Sequence, residues 1–479
     1  MKQFFTRLKR LFAAGRGRPL AIFLLLGLGL FNFLSNQTMP THPTWIDSMQ
    51  NMATNPFKTA RRLLMDKYQV TFPRTPLSQP VTIVSIDERS LAAMGQWPWP
   101  RNRLAALIDA INAQKPLAIG LDIYMPELDQ TSPDQVAKNL PPSAATLAAA
   151  LKKLPTHETI LAATLKRSPS ILGAAAFDHA AQTTSENLIT KPIVVHSQSA
   201  QSLEHGLRHI PHFDHVLASL PELQSSAHGQ AILSVPLDNG VVRRIPLVMR
   251  LGDTVVPSLA LEMLRVATDS SAIEVFTDER GLREVQVADI SINTQENAEV
   301  WLHTASIEST IGRYVSALDV LQGKINPEQF ENKLILLGLT GAGLNDMRTT
   351  PLGELVPGIE IQAQLIESII DQRLLRRPDW LIWSETLFIG LFGTLMIWYI
   401  PRPKSHVMRL LRRYPKASGA IGIGLNLLLV ALGFVLFRVY GLLVDTASSF
   451  IVLSAVMGSL LASALSHIEK EKTLTNTVN

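Results

Sequence analysis

Three kinds of pattern alternate along the 479 residues. The first is the long apolar run. Residues 20–34 (LAIFLLLGLGLFNFL) are apolar apart from Asn32, and 386–400, 417–437 and 446–466 carry no charge. A helix needs about 20 apolar residues to cross a hydrocarbon core of about 30 Å. The last two runs meet that length, and the first two reach it with their interfacial flanks. The pattern predicts four spans, at 19–35, 381–400, 418–437 and 443–466.

The second pattern is the short apolar run that ends on an acid or in a turn. VTIVSID (81–87), LAIGLDI (117–123), SILGAAA (170–176) and KLILLGL (333–339) are continuous, not alternating. Strands of that kind suit a parallel sheet covered on both faces. Between the first two, Leu104, Leu107, Ile108 and Ile111 share one face of a helix over 101–114, which Pro100 starts. Strand, helix, strand in that span predicts a crossover with parallel strands.

The third pattern mixes alternating runs with turn residues. In 229–267, Asp238-Asn239-Gly240 and Gly252-Asp253 mark turns of a hairpin or meander that feeds a helix. Two more strands are expected in 283–304, a short helix at 316–322 and an amphipathic helix at 357–375. Residues 36–80 look like a polar lead-in with one helix around 56–68, and 178–225 read as insertions and loops. The expected fold is a mixed, largely parallel α/β domain with a β-hairpin insertion, plus four transmembrane helices.

Charge gives these elements a direction. The first 18 residues hold six bases and no acid, and 401–416 hold six more and no acid. Setting those twelve aside leaves 32 bases against 40 acids, so the basic character belongs to segments beside the membrane. No nucleic-acid partner is expected, because that would need a basic face on the folded domain. Short basic loops stay cytoplasmic. Residues 1–18 and 401–416 are therefore expected inside, 36–379 outside, and the tail 467–479 inside. A cleaved signal peptide is the alternative for the first run. SNQTMPTHP (35–43) offers no clear small-x-small cleavage site, so an uncleaved anchor is expected. The chain has no cysteine, which excludes disulfides, cysteine-type zinc sites and iron–sulfur clusters.

In parallel α/β sheets, ligands sit beyond the carboxyl ends of the strands. Those ends present Asp87 and Glu88, Asp122 and Tyr124, and Thr340 to Asp346. Together with Arg101 and Arg348 they can gather around one crevice for a small polar ligand or a cation. The plainer alternative is that Asp87 and Asp122 cap helices or pair with the two arginines. LTGAG (339–343) resembles a phosphate-cradling turn but lacks the Lys-Ser/Thr of a P-loop, so a tight turn is expected. Trp97-Pro98-Trp99-Pro100 reads as a rigid turn whose indoles pack on the core, or as an aromatic platform. His205, His209, His212 and His215 can align on one helix face for zinc. Pro211 interrupts that helix, so a solvated loop is preferred, as in the surrounding segment with His179, His196 and His228. Glu385 and Asp445 are expected at water-accessible ends of spans. No metal, cofactor or catalytic residue is expected.

Several of these stretches, in order, resemble one family. IVSIDERSLAAMGQWPWPRNRLAALIDAI with LAIGLDIYMPE is similar to the opening of the type-2 CHASE domain, an extracytoplasmic sensory domain. DNGVVRRIPLVMRLGDTVVPSLALEMLR resembles its middle. RYVSALDVLQGKI and KLILLGLTGAGLNDMRTTPLGELVPGIEIQAQLIESIIDQRLLRRPDW resemble its end. The likeness covers about 80–380 and extends to the three closing spans. It implies a periplasmic or extracellular sensor in a bacterial inner membrane, working as a homodimer on an unknown small-molecule or environmental signal. Relatives continue into a kinase or a nucleotide cyclase. The tail 467–479 is too short for one, so the expectation is a stand-alone sensor with a cytoplasmic kinase or cyclase partner, or a truncated chain. A non-catalytic membrane scaffold and an extracytoplasmic enzyme using the acidic crevice are the competing readings.

Overall fold

A computed structural model describes residues 17–36, 45–177, 188–197, 199–341, 343–344, 346–402, 405–414 and 417–478. The basic residues 1–16, most of the expected cleavage region, His179 and parts of the basic loop lie outside the described residues. The chain divides into two compact units, Pro73–Leu375 and a unit formed by Met1–Phe72 with Arg376–Asn479.

The unit Pro73–Leu375 is built on a seven-stranded sheet. Its parallel strands are β1 (Val81–Ile86), β2 (Ala118–Leu121), β3 (Ser170–Phe177), β4 (Gly229–Ile232), β5 (Tyr314–Ser316) and β6 (Leu334–Leu339). Their order across the sheet is β5, β1, β6, β2, β3, with β4 beside β3. His215–Leu217 joins β3 antiparallel. β1 pairs with β6 from Val81↔Leu334 to Ile86↔Leu339. β6 pairs in turn with β2 from Leu334↔Ala118 to Leu337↔Leu121.

The continuous apolar runs follow from burial on both faces. Ile83, Leu334 and Leu336 point into one core, and Val84, Ile86, Ile335 and Leu337 into the other. Four helices cover these faces: α1 (Arg101–Asn112), α2 (His157–Arg167), α3 (Leu259–Ala267) and α4 (Gly358–Ile370). Leu104, Leu107, Ile108 and Ile111 of α1, with Leu161 and Leu165 of α2, fill one core. Leu259, Leu261 and Leu264 of α3, with Ile359, Ala363 and Ile366 of α4, fill the other.

The expected hairpin forms between Val248–Leu251 and Thr254–Pro257. Asn239 and Gly240 take φ of 53° and 79°, as the Asp-Asn-Gly turn requires. β4, read as part of the meander, instead extends the main sheet in parallel. Ile273–Asp278, Gly281–Val287 and Ile290–Asn293 form an antiparallel sheet with Ile193–Ser197 at its edge.

That edge strand corrects the expectation of loops through 178–225. The described part also holds helices Ala200–Arg208 and Pro221–Ser226. The helix at Ala200–Arg208 stops before His209, and His212 and His215 sit in short strands, so these histidines share no helix face. Among the described residues no group of three or more His, Cys, Asp or Glu is placed to hold a metal ion.

Among its described residues the other unit has four helices long and apolar enough to cross a membrane. They are Arg18–Ser35, Asp379–Tyr399, Gly422–Tyr440 and Thr446–Ser466. Phe23, Leu26, Leu387, Leu391, Leu427 and Leu428 stand exposed along them. Such a surface needs hydrocarbon, not water, as its solvent. Inside, Ala21, Met396, Ile397, Leu453, Val456 and Leu460 form a common core. A Cβ at Gly393 would lie 2.5 Å from Leu25 Cδ1, the close approach that small residues allow between membrane helices. The lead-in helix is longer than expected, Trp45–Thr71, with Pro56 inside it. The third helix runs to Tyr440, and the turn follows at Gly441 with φ 65°. The last helix continues to Val478, through the segment expected as a tail.

Candidate functional site

The carboxyl ends of β2, β3, β4 and β6 open onto one cavity of about 500 Å³, within the range of small-molecule sites. Asp122, Ile123 and Tyr124 follow β2 directly, Ala175 and Phe177 close β3, Leu233 follows β4 and Leu339 ends β6. The remaining wall comes from the start of α4, through Gly358, Ile361 and Gln362, and from Asp346 and Arg348 just before it.

The local sequence explains this convergence. β6 ends in the glycine-rich turn, where Gly343 takes φ 88°. The chain then forms a small antiparallel pair, Met347–Thr349 with Leu355–Pro357, and Pro357 leads into α4. Gly358 N–H donates to the Asp346 carbonyl at 2.8 Å, so Asp346 lies against the positive end of the helix. Arg348 Nη2 meets Asp346 Oδ1 at 2.8 Å, both side chains about two-fifths exposed.

Asp122 is half-buried at the end of β2. Burial pushes its carboxyl up to about 7, repulsion from Asp346 adds to the rise, and Arg348 opposes it. Gln362 is buried, and its Oε1 has no hydrogen-bond partner among the described residues.

Of the six residues singled out in the sequence, the structure brings three together: Asp122, Asp346 and Arg348. The other three stand elsewhere. Asp87 caps the helix Glu88–Met94, accepting from Ser90 N at 2.9 Å and from the hydroxyls of Ser90 at 2.6 Å and Ser316 at 2.9 Å. Glu88 is exposed in the first turn of that helix. Arg101 is buried, donating Nη1 to Glu158 at 2.5 Å and Nη2 to the Glu127 carbonyl.

The tryptophan pair divides. Trp99 packs in the core and donates Nε1 to the Gly95 carbonyl at 2.8 Å, whereas Trp97 lines the cavity. Sequence reasoning missed Gln362. Its signal was a glutamine on the buried stripe of α4, three residues after Ile359 and four before Ile366.

α4 carries further buried polar groups away from the cavity. Glu367 accepts from Arg313 at 2.6 Å and Arg74 at 3.0 Å. Glu360 accepts from the Tyr314 hydroxyl at 2.8 Å. Gln364 accepts from Ala305 N at 2.9 Å and donates to its carbonyl at 3.1 Å.

A separate polar cluster lies in the unit of the spans. Glu385 and Asp445 are not water-accessible as expected but 5% and 2% exposed. Arg377 grips Glu385 with both nitrogens, at 3.1 and 2.8 Å, and also donates to Asn36 Oδ1 at 3.0 Å and to the Leu443 carbonyl. Asp445 N–H donates to Glu385 at 2.6 Å, while the Asp445 carboxylate accepts from Ser448 N at 2.9 Å and Oγ at 2.6 Å. Arg61 Nε lies 3.5 Å from Asp445 Oδ2. Burial is tolerated because each acid is paired and hydrogen-bonded.

A family model described as the CHASE2 domain matches residues 45–400. The chain belongs to the CHASE2 family. The matched region takes in the lead-in helix, the whole unit Pro73–Leu375 and the span Asp379–Tyr399. CHASE2 domains are extracytoplasmic sensory domains, and here the domain is joined to helices able to cross a membrane. Comparisons with curated proteins and with solved structures found no match.

Proposed function

We propose that this chain is a multi-pass sensory receptor of the plasma (inner) membrane. Its CHASE2 domain lies on the periplasmic or extracellular side and takes a small polar ligand in the cavity. The change passes through the closing helices to a cytoplasmic effector on a partner protein. The observation that carries this reading is the position of α4. Its first turn, with Gly358, Ile361 and Gln362, is cavity wall. Beyond its end at Ile370, only 371–378 separate it from the span that begins at Asp379. A ligand that shifts α4 therefore pulls on the membrane helix through a short connection.

Orientation rests on the two base-rich, acid-free stretches at 1–18 and 401–416, which the positive-inside rule keeps in the cytoplasm. Homodimers and a kinase- or cyclase-type partner rest on the resemblance to related sensors. The reading assigns the domain binding, not catalysis. A thermal-shift screen of the full chain in lipid nanodiscs against chemically diverse small molecules tests it. The expected result is a compound that raises the melting temperature, with the effect lost in Gln362→Leu. A silent screen favours the membrane scaffold instead.

A further inference from the structure

The cavity offers more negative charge and more hydrogen-bond acceptors than its own walls satisfy. Two carboxylates line it, Asp122 and Asp346, and Arg348 is the guanidinium beside them. Arg348 is committed to Asp346 at 2.8 Å. The Asp122 backbone N–H donates to the Leu337 carbonyl at 2.9 Å, but its carboxylate has no hydrogen-bond partner among the described residues and feels Asp346 as a like charge.

Gln362 is an independent sign of a missing partner. It is 3% exposed, lines the cavity, and leaves Oε1 without a partner among the described residues. The neighbouring buried polar side chains of the same helix, Glu360, Gln364, Glu367 and Ser368, each have at least one, and the other unpartnered acceptor on this helix among the described residues, Glu367 Oε1, does not line the cavity. A buried acceptor left without a donor is costly, so an orphan on a cavity wall marks a place for a donor.

We propose that the cavity binds a small organic cation, a primary amine with an apolar body, held by Asp122, Asp346 and Gln362. The proposal rests on the sensory reading above and names its ligand class. An ammonium brings three donors and no acceptor, the complement of these groups. Its charge balances the carboxylate that Arg348 leaves uncompensated. Ile123, Leu233, Val235, Val242 and Ile361 give the body an apolar wall, and Trp97 adds an indole to it. An anionic ligand would meet two carboxylates and would have to take Arg348 from Asp346. A bare divalent ion fits less well, since calcium takes about 6–8 oxygen ligands and, among the described residues, no group of three or more His, Cys, Asp or Glu is placed to hold a metal ion.

The test is calorimetry and thermal shift on the full chain in nanodiscs with three matched probe sets. These are phenethylamine and cadaverine, the carboxylates hydrocinnamate and glutarate, and the neutral phenethyl alcohol and pentanediol. We expect an amine to bind saturably. Asp122→Asn should weaken it about tenfold or more, the loss of one charge-assisted contact. Arg348→Ala, at a half-buried position, should tighten it by removing the competing cation, and this arm stands even if Asp122→Asn fails to fold. Binding of the carboxylates, weakened by Arg348→Ala, would overturn the ligand class and leave the sensory reading intact. Binding of the alcohols equal to that of the amines and indifferent to Asp122→Asn would do the same. Silence of all three sets overturns the amine proposal, and the sensory reading falls with it only if the diverse screen is silent too.

Discussion

Gly358 and Asp346 approach so closely that a Cβ on the glycine would stand 2.2 Å from Asp346 Oδ2. The missing side chain thus lets the carboxylate lie against the start of α4 and meet Arg348. Gly358→Ala must push the Asp346 carboxylate aside and so disturb its pairing with Arg348. The full chain should melt a few degrees lower and bind its cavity ligand more weakly. Unchanged melting and affinity would show that Asp346 has room to move.

Asp122 gives the domain a pH signature. Its carboxyl is pushed up to about 7, first by burial and then by Asp346, with Arg348 opposing. An unfolded aspartate titrates near 3.9. Between these values the folded state holds the extra proton. The group's contribution to stability is therefore full below about pH 4 and lost as pH rises through about 7. Asp122→Asn removes that loss. Its melting temperature relative to wild type should climb from about pH 5 to about pH 8, read by scanning fluorimetry on the full chain. A constant difference would contradict the assignment.

The buried pair Arg377–Glu385 makes an energetic prediction of its own. Removing one partner leaves the other charge buried and unpaired, at about 3–5 kcal/mol. Arg377→Leu and Glu385→Leu should each destabilise strongly, and the double variant should lose less than the sum. A double-mutant cycle in detergent or nanodiscs measures this coupling. Simple additivity would mean the two groups do not depend on each other.

Asp87 and Arg101 predict the opposite separation of stability from binding. Asp87→Ala removes a helix cap, worth about 0.5–2 kcal/mol. Arg101→Met takes the guanidinium from Glu158, which is 3% exposed and keeps the Asp129 N–H at 2.6 Å. Both should lower the melting temperature and leave the affinity for the cavity ligand within about twofold. A tenfold loss of affinity in Asp87→Ala would place that residue back at the site.

Much of the sheet is legible because burial on both faces leaves an unmistakable mark. VTIVSID, LAIGLDI, SILGAAA and KLILLGL all become parallel strands. The four spans are equally plain, since hydrocarbon tolerates little but apolar helix there. What local pattern cannot carry is pairing. β6 lies between β1 and β2 although more than 200 residues separate it from either, and nothing in its six letters says so. That insertion brings Asp346 and Arg348 to Asp122. Asp87, at the end of the next strand over, turns instead to its own helix, because Ser90 lies within reach three residues on. The segment after Phe177 hid its strand because Ile193–Ser197 is a mostly exposed edge strand with only three apolar residues, Ile193 to Val195, among polar neighbours.

A receptor for an outside signal must hold its cavity on the outer side of the membrane, and the absence of cysteine from the chain makes that side directly measurable. Single cysteines at exposed Lys153 in the CHASE2 domain and at exposed Arg413 in the basic loop can be challenged with a membrane-impermeant maleimide in intact cells. We predict that Lys153→Cys is labelled at once and Arg413→Cys only after the membrane is permeabilised. Labelling of Arg413→Cys in intact cells, with Lys153→Cys protected, would contradict the outward-facing sensor.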